Sequence, residues 1–246
     1  MPRIGLISDV HANLDALAAV LADVRTQSVD ALASLGDVVG YGPDPGECLD
    51  LIAQSCDVMI RGNHDEAVLR ADLQPHFRLR AWRSIEASRQ MLTPGHEMLI
   101  ESMRSSAEVA GVALAHASFG PRRFEYLYDP GDAAAAFRHM PRAVGAVGHT
   151  HVPALFILDE PGSAPRAVAL EADRPATIPE GAAAVVNPGS VGQPRDRNPD
   201  ASWAILDTDA RTFTVRRVSY DVRRVQERMQ TLGMPDYHSL RLSAGV

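Results

Sequence analysis

Three features of this 246-residue sequence predict an α/β fold. Short apolar and β-branched runs recur between polar or glycine boundaries, as buried strands do. The first two runs flank a segment with helical spacing of leucine, so strand, helix and strand follow one another. Beyond Pro153 the runs are spaced like hairpins, which predicts a second, largely antiparallel sheet. With 46% hydrophobic and 22% charged residues the composition is that of a folded globular protein, and the length suits one domain over residues 1–246.

Residues 3–8 (RIGLIS) form the opening strand. Asn13 then stands where a side-chain oxygen can cap a helix whose Leu14, Leu17, Leu21 and Val24 share one face. Residues 31–35 (ALASL) and 57–61 (DVMIR) supply the next two strands. From about residue 74 to residue 106 the sequence turns charged and helix-favouring, with a break at Pro94 and Gly95, which predicts a helical hairpin inserted between strands. Its two possible roles are a cover for a substrate and an ordinary crossover. Residues 112–115 (VALA) and 143–147 (AVGAV) return to strand, followed by ALFILD, RAVAL, AAAVVN, SWAILD and TFTVRRVS. Asp221 opens a last helix to about Leu232, and a short polar tail is expected from Gly233.

Lys and Arg number 24 against 31 Asp and Glu, a net charge of -7. That balance offers no general attraction for nucleic acid or an anionic membrane, although a local basic pocket is compatible with it. Cys48 and Cys56 have no CxxC spacing, so reduced thiols are expected rather than a disulfide framework or a thiolate zinc site. The N-terminal residues enter a strand without a charged leader, and no apolar run approaches the ~20 residues of a membrane span. A cytoplasmic protein is the expectation.

Metal-ligand residue types follow the strands in turn. Asp9 and His11 come after RIGLIS, Asp37 after ALASL, and Asn63, His64 and Asp65 after DVMIR. His116 follows VALA, and His149 and His151 follow AVGAV. Carboxyl ends of strands line the ligand-binding crevice of an α/β sheet, so these groups converge on one edge. Imidazole and carboxylate donors without thiolate suit Mn, Fe, Zn, Ni or Co ions rather than calcium or an iron–sulfur cluster. The donors outnumber what one ion uses, which predicts two ions sharing a carboxylate.

In this order DVH, GDVVGYG, GNHD, the His116 of ALAHASFG, and GHTH resemble the motifs of the calcineurin-like metallophosphoesterase family. The stretch NPGSVGQPRD, residues 187–196, is similar to the small bacterial branch of YfcE-like phosphodiesterases and diadenosine tetraphosphate hydrolases. The resemblance implies a four-layer α/β/β/α sandwich of two mixed sheets. It implies two divalent transition-metal ions, manganese first and Fe, Zn, Ni or Co otherwise. Asp9, His11, Asp37 and His151 would hold the first, and Asp37, Asn63, His116 and His149 the second, with Asp37 as the bridge. Residues i and i+2 of an extended GHTH would point to opposite faces, so the peptide must bend, a bend that Gly148 is expected to permit.

The activity so implied is attack of a metal-activated hydroxide on a phosphodiester or phosphoanhydride of a small phosphoester or nucleotide-like substrate. Alternatives are a dinucleoside polyphosphate hydrolase, a phosphomonoesterase, and a non-catalytic metal-binding scaffold such as the retromer subunit of the same fold. His64, outside the implied ligand set, is expected to protonate the leaving oxygen or to hydrogen-bond the phosphoryl group. Asp65 either orients the His64 ring or caps the following helix. Tyr41, Ser190 and Arg195 are candidate substrate contacts, Arg195 as a fork to phosphate and Ser190 beside Gly189 and Gly192. Arg122 and Arg123 are further possible anion contacts. His76, His96, His139 and His238 are expected at the surface.

Overall fold

The computed structural model describes residues 2–246. The chain runs β1 (Arg3–Ile7), α1 (Leu14–Val24), β2 (Ala31–Ser34), α2 (Pro45–Ser55), β3 (Val58–Met59), α3 (Asn63–Leu69), a 3₁₀ turn (Ala71–His76), α4 (Leu79–Met91) and α5 (Pro94–Ser102). It continues through β4 (Ser106–Val109), β5 (Val112–Ala115), α6 (Pro130–His139), β6 (Val144–Ala146), β7 (Pro153–Leu158), β8 (Arg166–Ala167) and β9 (Ala176–Thr177). The last elements are β10 (Ala183–Pro188), β11 (Ala201–Asp207), β12 (Thr212–Val218), α7 (Val222–Thr231) and α8 (Asp236–Ala244).

Two six-stranded sheets result, ordered β3-β2-β1-β11-β12-β9 and β4-β5-β6-β10-β7-β8. Each is mixed. β1, β2 and β3 run parallel, and β1 pairs antiparallel with β11; β5, β6 and β10 run parallel, and β10 pairs antiparallel with β7. The strands beyond Pro153 therefore do not form a sheet of their own, as their spacing predicts, but divide between the two. Hairpin spacing fixes a local partner, such as β12 for β11, but not the sheet that the pair joins. Residues 189–200 carry the chain from β10 in one sheet to β11 in the other.

Strand alternation builds the layers. In β1 and β11, Ile4, Leu6, Ala204 and Leu206 face a core shared with Leu114, Val186 and Leu155 of the second sheet. Ile7, Trp203 and Ile205 face the other way, onto Leu17 and Val20 of α1, Ile52 of α2 and Ile85 of α4. On the far side, Ala133 and Ala136 of α6 pack on Val147, Phe156 and Val185. The order is helix, sheet, sheet, helix. Burial of each large aliphatic side chain contributes about 1.5–3 kcal/mol, so the shared core between the sheets fixes their relative position.

Local signals explain the helix boundaries. Asn13 accepts from Ala16 N, Thr93 from His96 N at the start of α5, and Asp221 from Arg224 N at the start of α7. The predicted insert contains two helices, α4 and α5, which Trp82, Ile85 and Ile100 seat in the outer helical layer beside α2 and α3. The predicted polar tail is instead α8, which buries His238, Ser239 and Leu242. Among the described residues no helix is long and apolar enough to cross a membrane.

Candidate metal centre

Loops following β1, β2, β5 and β6, with the start of α3, bring the polar groups together where the two sheets meet. These loops interlock: His11 N donates to Asp37 O at 3.0 Å, Gly192 N to Asp9 O at 3.0 Å and Arg195 N to His151 O at 3.1 Å. Asp9, His11, Asp37, His149 and His151 all adopt positive φ, between 47° and 67°. Such backbone costs a non-glycine residue of order 1–3 kcal/mol and persists only where surrounding contacts over-determine it. The GHTH bend thus lies in the histidines themselves. Gly148 serves another purpose than the one its motif suggests: a Cβ there would overlap Ser8 Oγ and press on Asp9 Oδ2.

Second partners of the rings fix where their lone pairs point. His11 Nδ1 lies 3.0 Å from Val39 O, His151 Nδ1 2.6 Å from Gln193 O, and His116 Nδ1 2.8 Å from Leu35 O. Carbonyl oxygens only accept, so each Nδ1 carries a hydrogen and each Nε2 faces inward. His11 Nε2 and His151 Nε2 are 3.1 Å apart, and His151 Nε2 is 3.4 Å from Asp9 Oδ1, an oxygen buried without a hydrogen-bond partner. His116 Nε2 lies 3.1 Å from Asn63 Oδ1 and 3.2 Å from His149 Nδ1. Asp37 joins the two groups through one atom, since its Oδ2 is 3.7 Å from His11 Nε2 and 3.4 Å from His116 Nε2. Its Oδ1 accepts from His64 N at 2.8 Å.

Burial and mutual charge set the proton affinities. Burial pushes the Asp9 carboxyl up to about 7 and drives His11 and His151 well below their ordinary range. Burial and the charge on His116 bring His149 down to about 3. Burial would depress His116 as well, but the Asp37 and Asp9 charges together with the hydrogen bonds to Asp37 and Leu35 O outweigh it and lift the imidazole to about 9. Convergent, mostly unprotonated imidazoles around two carboxylates, with an orphaned buried oxygen, form a donor set that fits divalent metal ions.

Asp65 does not touch the His64 ring. Its Oδ2 accepts from Asp37 N and Gly62 N, and its Oδ1 from Val38 N and Val39 N, at 2.8–3.2 Å. It locks the Asp37 loop to the start of α3. Ser190, expected at the substrate, is fully buried; its Oγ donates to Asp9 O at 2.7 Å and accepts from Gln193 N at 2.8 Å. Its only hydroxyl hydrogen is committed to Asp9 O, and residues 190–193 pack against the Asp9 and His151 loops. That corrects its assignment.

Tyr41 and Arg195 do reach the crevice. Tyr41 packs 4.6 Å from both the His11 and His64 rings, and the Arg195 guanidinium lies 5.9 Å over Tyr41. His64 Nδ1 is buried without a partner, and burial lowers its pKa to about 4. Over the centre opens a cleft of about 1140 Å³ lined by Asn63, His64, His149 and Arg195, with Phe77 and Arg80 from the insert side and Tyr237 from α8. Arg122 and Arg123 pair with Glu125 and Glu66. His76 lines the cleft. His238, expected at the surface, is buried, with its Nε2 3.2 Å from Arg80 O. Tyr126, Tyr128 and Arg241 also border the cleft, and the alternation of EYLYD, which puts both tyrosines on one side of an extended segment, is the signal that could have marked them.

Two stacked mixed sheets with buried imidazoles and carboxylates at their strand ends define a metal-dependent phosphoesterase. Residues 2–211 match the calcineurin-like phosphoesterase superfamily domain, and the chain belongs to that family. An uncharacterized protein of Methanocaldococcus jannaschii, MJ0912, is 32% identical over 247 residues, covering 98% of each chain. A metallophosphoesterase of Sphaerobacter thermophilus has a similar crystal structure, with a TM-score of 0.87 and 35% identity over 100% of this chain and 99% of that one. Hypothetical protein PH1004 of Pyrococcus horikoshii OT3 shares the fold, at a TM-score of 0.78 and 18% identity over 100% and 99% of the two chains.

Proposed function

We propose that the chain hydrolyses phosphodiester or phosphoanhydride bonds at a centre of two divalent transition-metal ions, manganese first, with Fe, Zn, Ni or Co as alternatives. The observation that carries this reading is the position of Asp37 Oδ2, within 3.7 Å of His11 Nε2 and 3.4 Å of His116 Nε2. Asp9, His11 and His151 would complete one ion's ligands, and Asn63, His116 and His149 the other's. Bound there, the ions would supply the Lewis acidity that offsets phosphoryl charge and makes water a nucleophile near neutral pH.

The protein's own groups do the rest. Asn63 contributes a neutral oxygen, so Asp9 and Asp37 only partly balance the ions and the site attracts an anionic phosphate. With its pKa near 4, His64 is a neutral imidazole at pH 7. It therefore acts as a hydrogen-bond donor to a phosphoryl or leaving oxygen more readily than as a proton store. Arg195 offers a planar fork to a phosphoryl group, and Tyr41 forms the wall between His11 and His64. Asp65 positions Asp37 from behind. The partner is a small phosphoester or nucleotide-like substrate, and the free thiols Cys48 and Cys56 fit a cytoplasmic location.

The test is reconstitution. Metal-stripped protein, reloaded separately with each ion, should bind two per chain and turn over bis(p-nitrophenyl) phosphate only when loaded. Turnover by the stripped protein, or saturation at one ion, would overturn the proposal.

A further inference from the structure

The cleft over the metal centre has a charge opposite to that of the chain. The net charge is -7, yet the lining includes Arg78, Arg80, Arg195 and Arg241 and, among the described residues, no Asp or Glu. Three of these guanidinium groups crowd together. Arg80 and Arg241 lie 4.3 and 5.3 Å over the same Tyr237 ring, and Arg195 Nε is buried without a hydrogen-bond partner. Burial and the charge on Arg195 pull the pKa of Arg241 down. Arg241 Nε donates to the main-chain oxygen of Val246 and Arg195 to Gln193 Oε1, but among the described residues no Asp or Glu side chain pairs with these three groups, and like charges so gathered favour an entering anion. His238, held to Arg80 O at 3.2 Å, fixes α8 against the start of α4 and so presets the cluster.

Aromatic rings form a second surface of the same cleft. The Tyr126 ring stacks on His149 at 4.1 Å and 24°, and Tyr128 stacks on Tyr126 at 5.3 Å and 6°. The stack rises from the metal centre and ends at Tyr128, which is 58% exposed. An exposed ring in a cationic cleft is a platform for a planar base. Tyr128 also lies within electrostatic reach of Arg241, so α8 and the stack face the same space.

We propose that this cleft recognises a nucleotide bearing at least two phosphates, its base stacked on Tyr128 and a phosphate beyond the reacting one held by Arg80, Arg195 and Arg241. This rests on the cleft being the substrate site of the phosphoesterase described above. α8 then determines specificity through Arg241 and Tyr237.

Calorimetric titration of the metal-stripped full chain with ADP, AMP and inorganic pyrophosphate tests the proposal where nothing turns over. ADP should bind roughly tenfold tighter than either of the others, since a charge-assisted contact and a stacked base are each worth about a factor of ten. Arg241→Gln should erase the advantage of ADP over AMP, and Tyr128→Ala its advantage over pyrophosphate. Equal affinities for the three probes, or variants that bind as the parent does, would overturn it. Manganese-dependent turnover of bis(p-nitrophenyl) phosphate with no preference for ADP sinks this inference alone. A preserved preference without turnover of any phosphoester sinks only the catalytic reading.

Discussion

His11 Nε2 and His151 Nε2 face each other across 3.1 Å, each ring having committed its other nitrogen to a backbone carbonyl. Both imidazoles are driven far below their ordinary proton affinity, so no proton sits between the two lone pairs. A cation relieves that repulsion, and folding free energy must therefore rise when metal binds. At a free-ion concentration of 100 Kd the linkage term is about 2.7 kcal/mol, or roughly 5–10 °C in the melting temperature of a chain this long. Thermal melts of stripped protein with and without manganese measure it. A melting temperature indifferent to metal would contradict the geometry.

The second ligand group behaves differently because His116 is lifted to about 9 in the metal-free protein, where a proton takes the place of the cation beside Asp37. Its folded pKa exceeds the ordinary 6.5. The stabilisation it gives is thus complete below that value and disappears as pH rises toward 9. A ligating Nε2 cannot keep its proton, so metal must displace it. At about pH 8, above the carboxyl of Asp9 and below His116, binding should release about one proton per chain, and affinity should climb with pH up to about 9. Calorimetry in buffers of different ionisation enthalpy reads this directly. A binding heat independent of buffer would show that His116 enters the reaction unprotonated.

Much of this site could be read in the sequence because its information is local. Asp9, Asp37, Asn63, His116 and His149 each stand just past a short apolar run, and strand ends converge in any α/β architecture. The helix boundaries at Asn13 and Asp221 were legible for the same reason, since a cap is a contact three residues long. Ser190 was misleading because its motif specifies a tight turn but not which side of the turn faces the crevice. The helix holding His238 escaped notice because a short polar segment gains its burial from α7 beside it and from the start of α4, far away in sequence. The start of α6 was available in principle: Asp129, Pro130 and Asp132 make a capping box, with Asp129 accepting from Asp132 N.

Asp65 illustrates how far the centre depends on groups that never approach a substrate. Its carboxylate collects the N–H groups of Gly62, Asp37, Val38 and Val39, and it is completely buried. Truncation to alanine leaves four buried donors unpaired, a loss of roughly 3–5 kcal/mol. Asp65→Ala should melt on the order of 10 °C lower and bind metal weakly, whereas Asp65→Asn, which keeps one acceptor oxygen, should recover part of both. Parallel melts and metal analyses decide it. Metal affinity unchanged in a destabilised Asp65→Ala protein would show that the loop holds Asp37 in place without this carboxylate.

Asp37 and His64 touch each other, yet their substitutions should separate metal binding from chemistry. Asp37 Oδ1 is held by His64 N while Oδ2 faces both ligand groups, so Asp37→Ala removes the shared oxygen and should lose metal and activity together. The contact to Asp37 is made by the backbone of His64, which alanine retains. His64→Ala should accordingly keep the full metal content and slow turnover by about 10²–10⁴-fold, the range for loss of a positioned hydrogen-bond or proton donor. Metal content is the deciding measurement: an empty site in His64→Ala would make the ring a ligand, joining His11 and Asp37, whose donor atoms lie within 4.8 Å of its own.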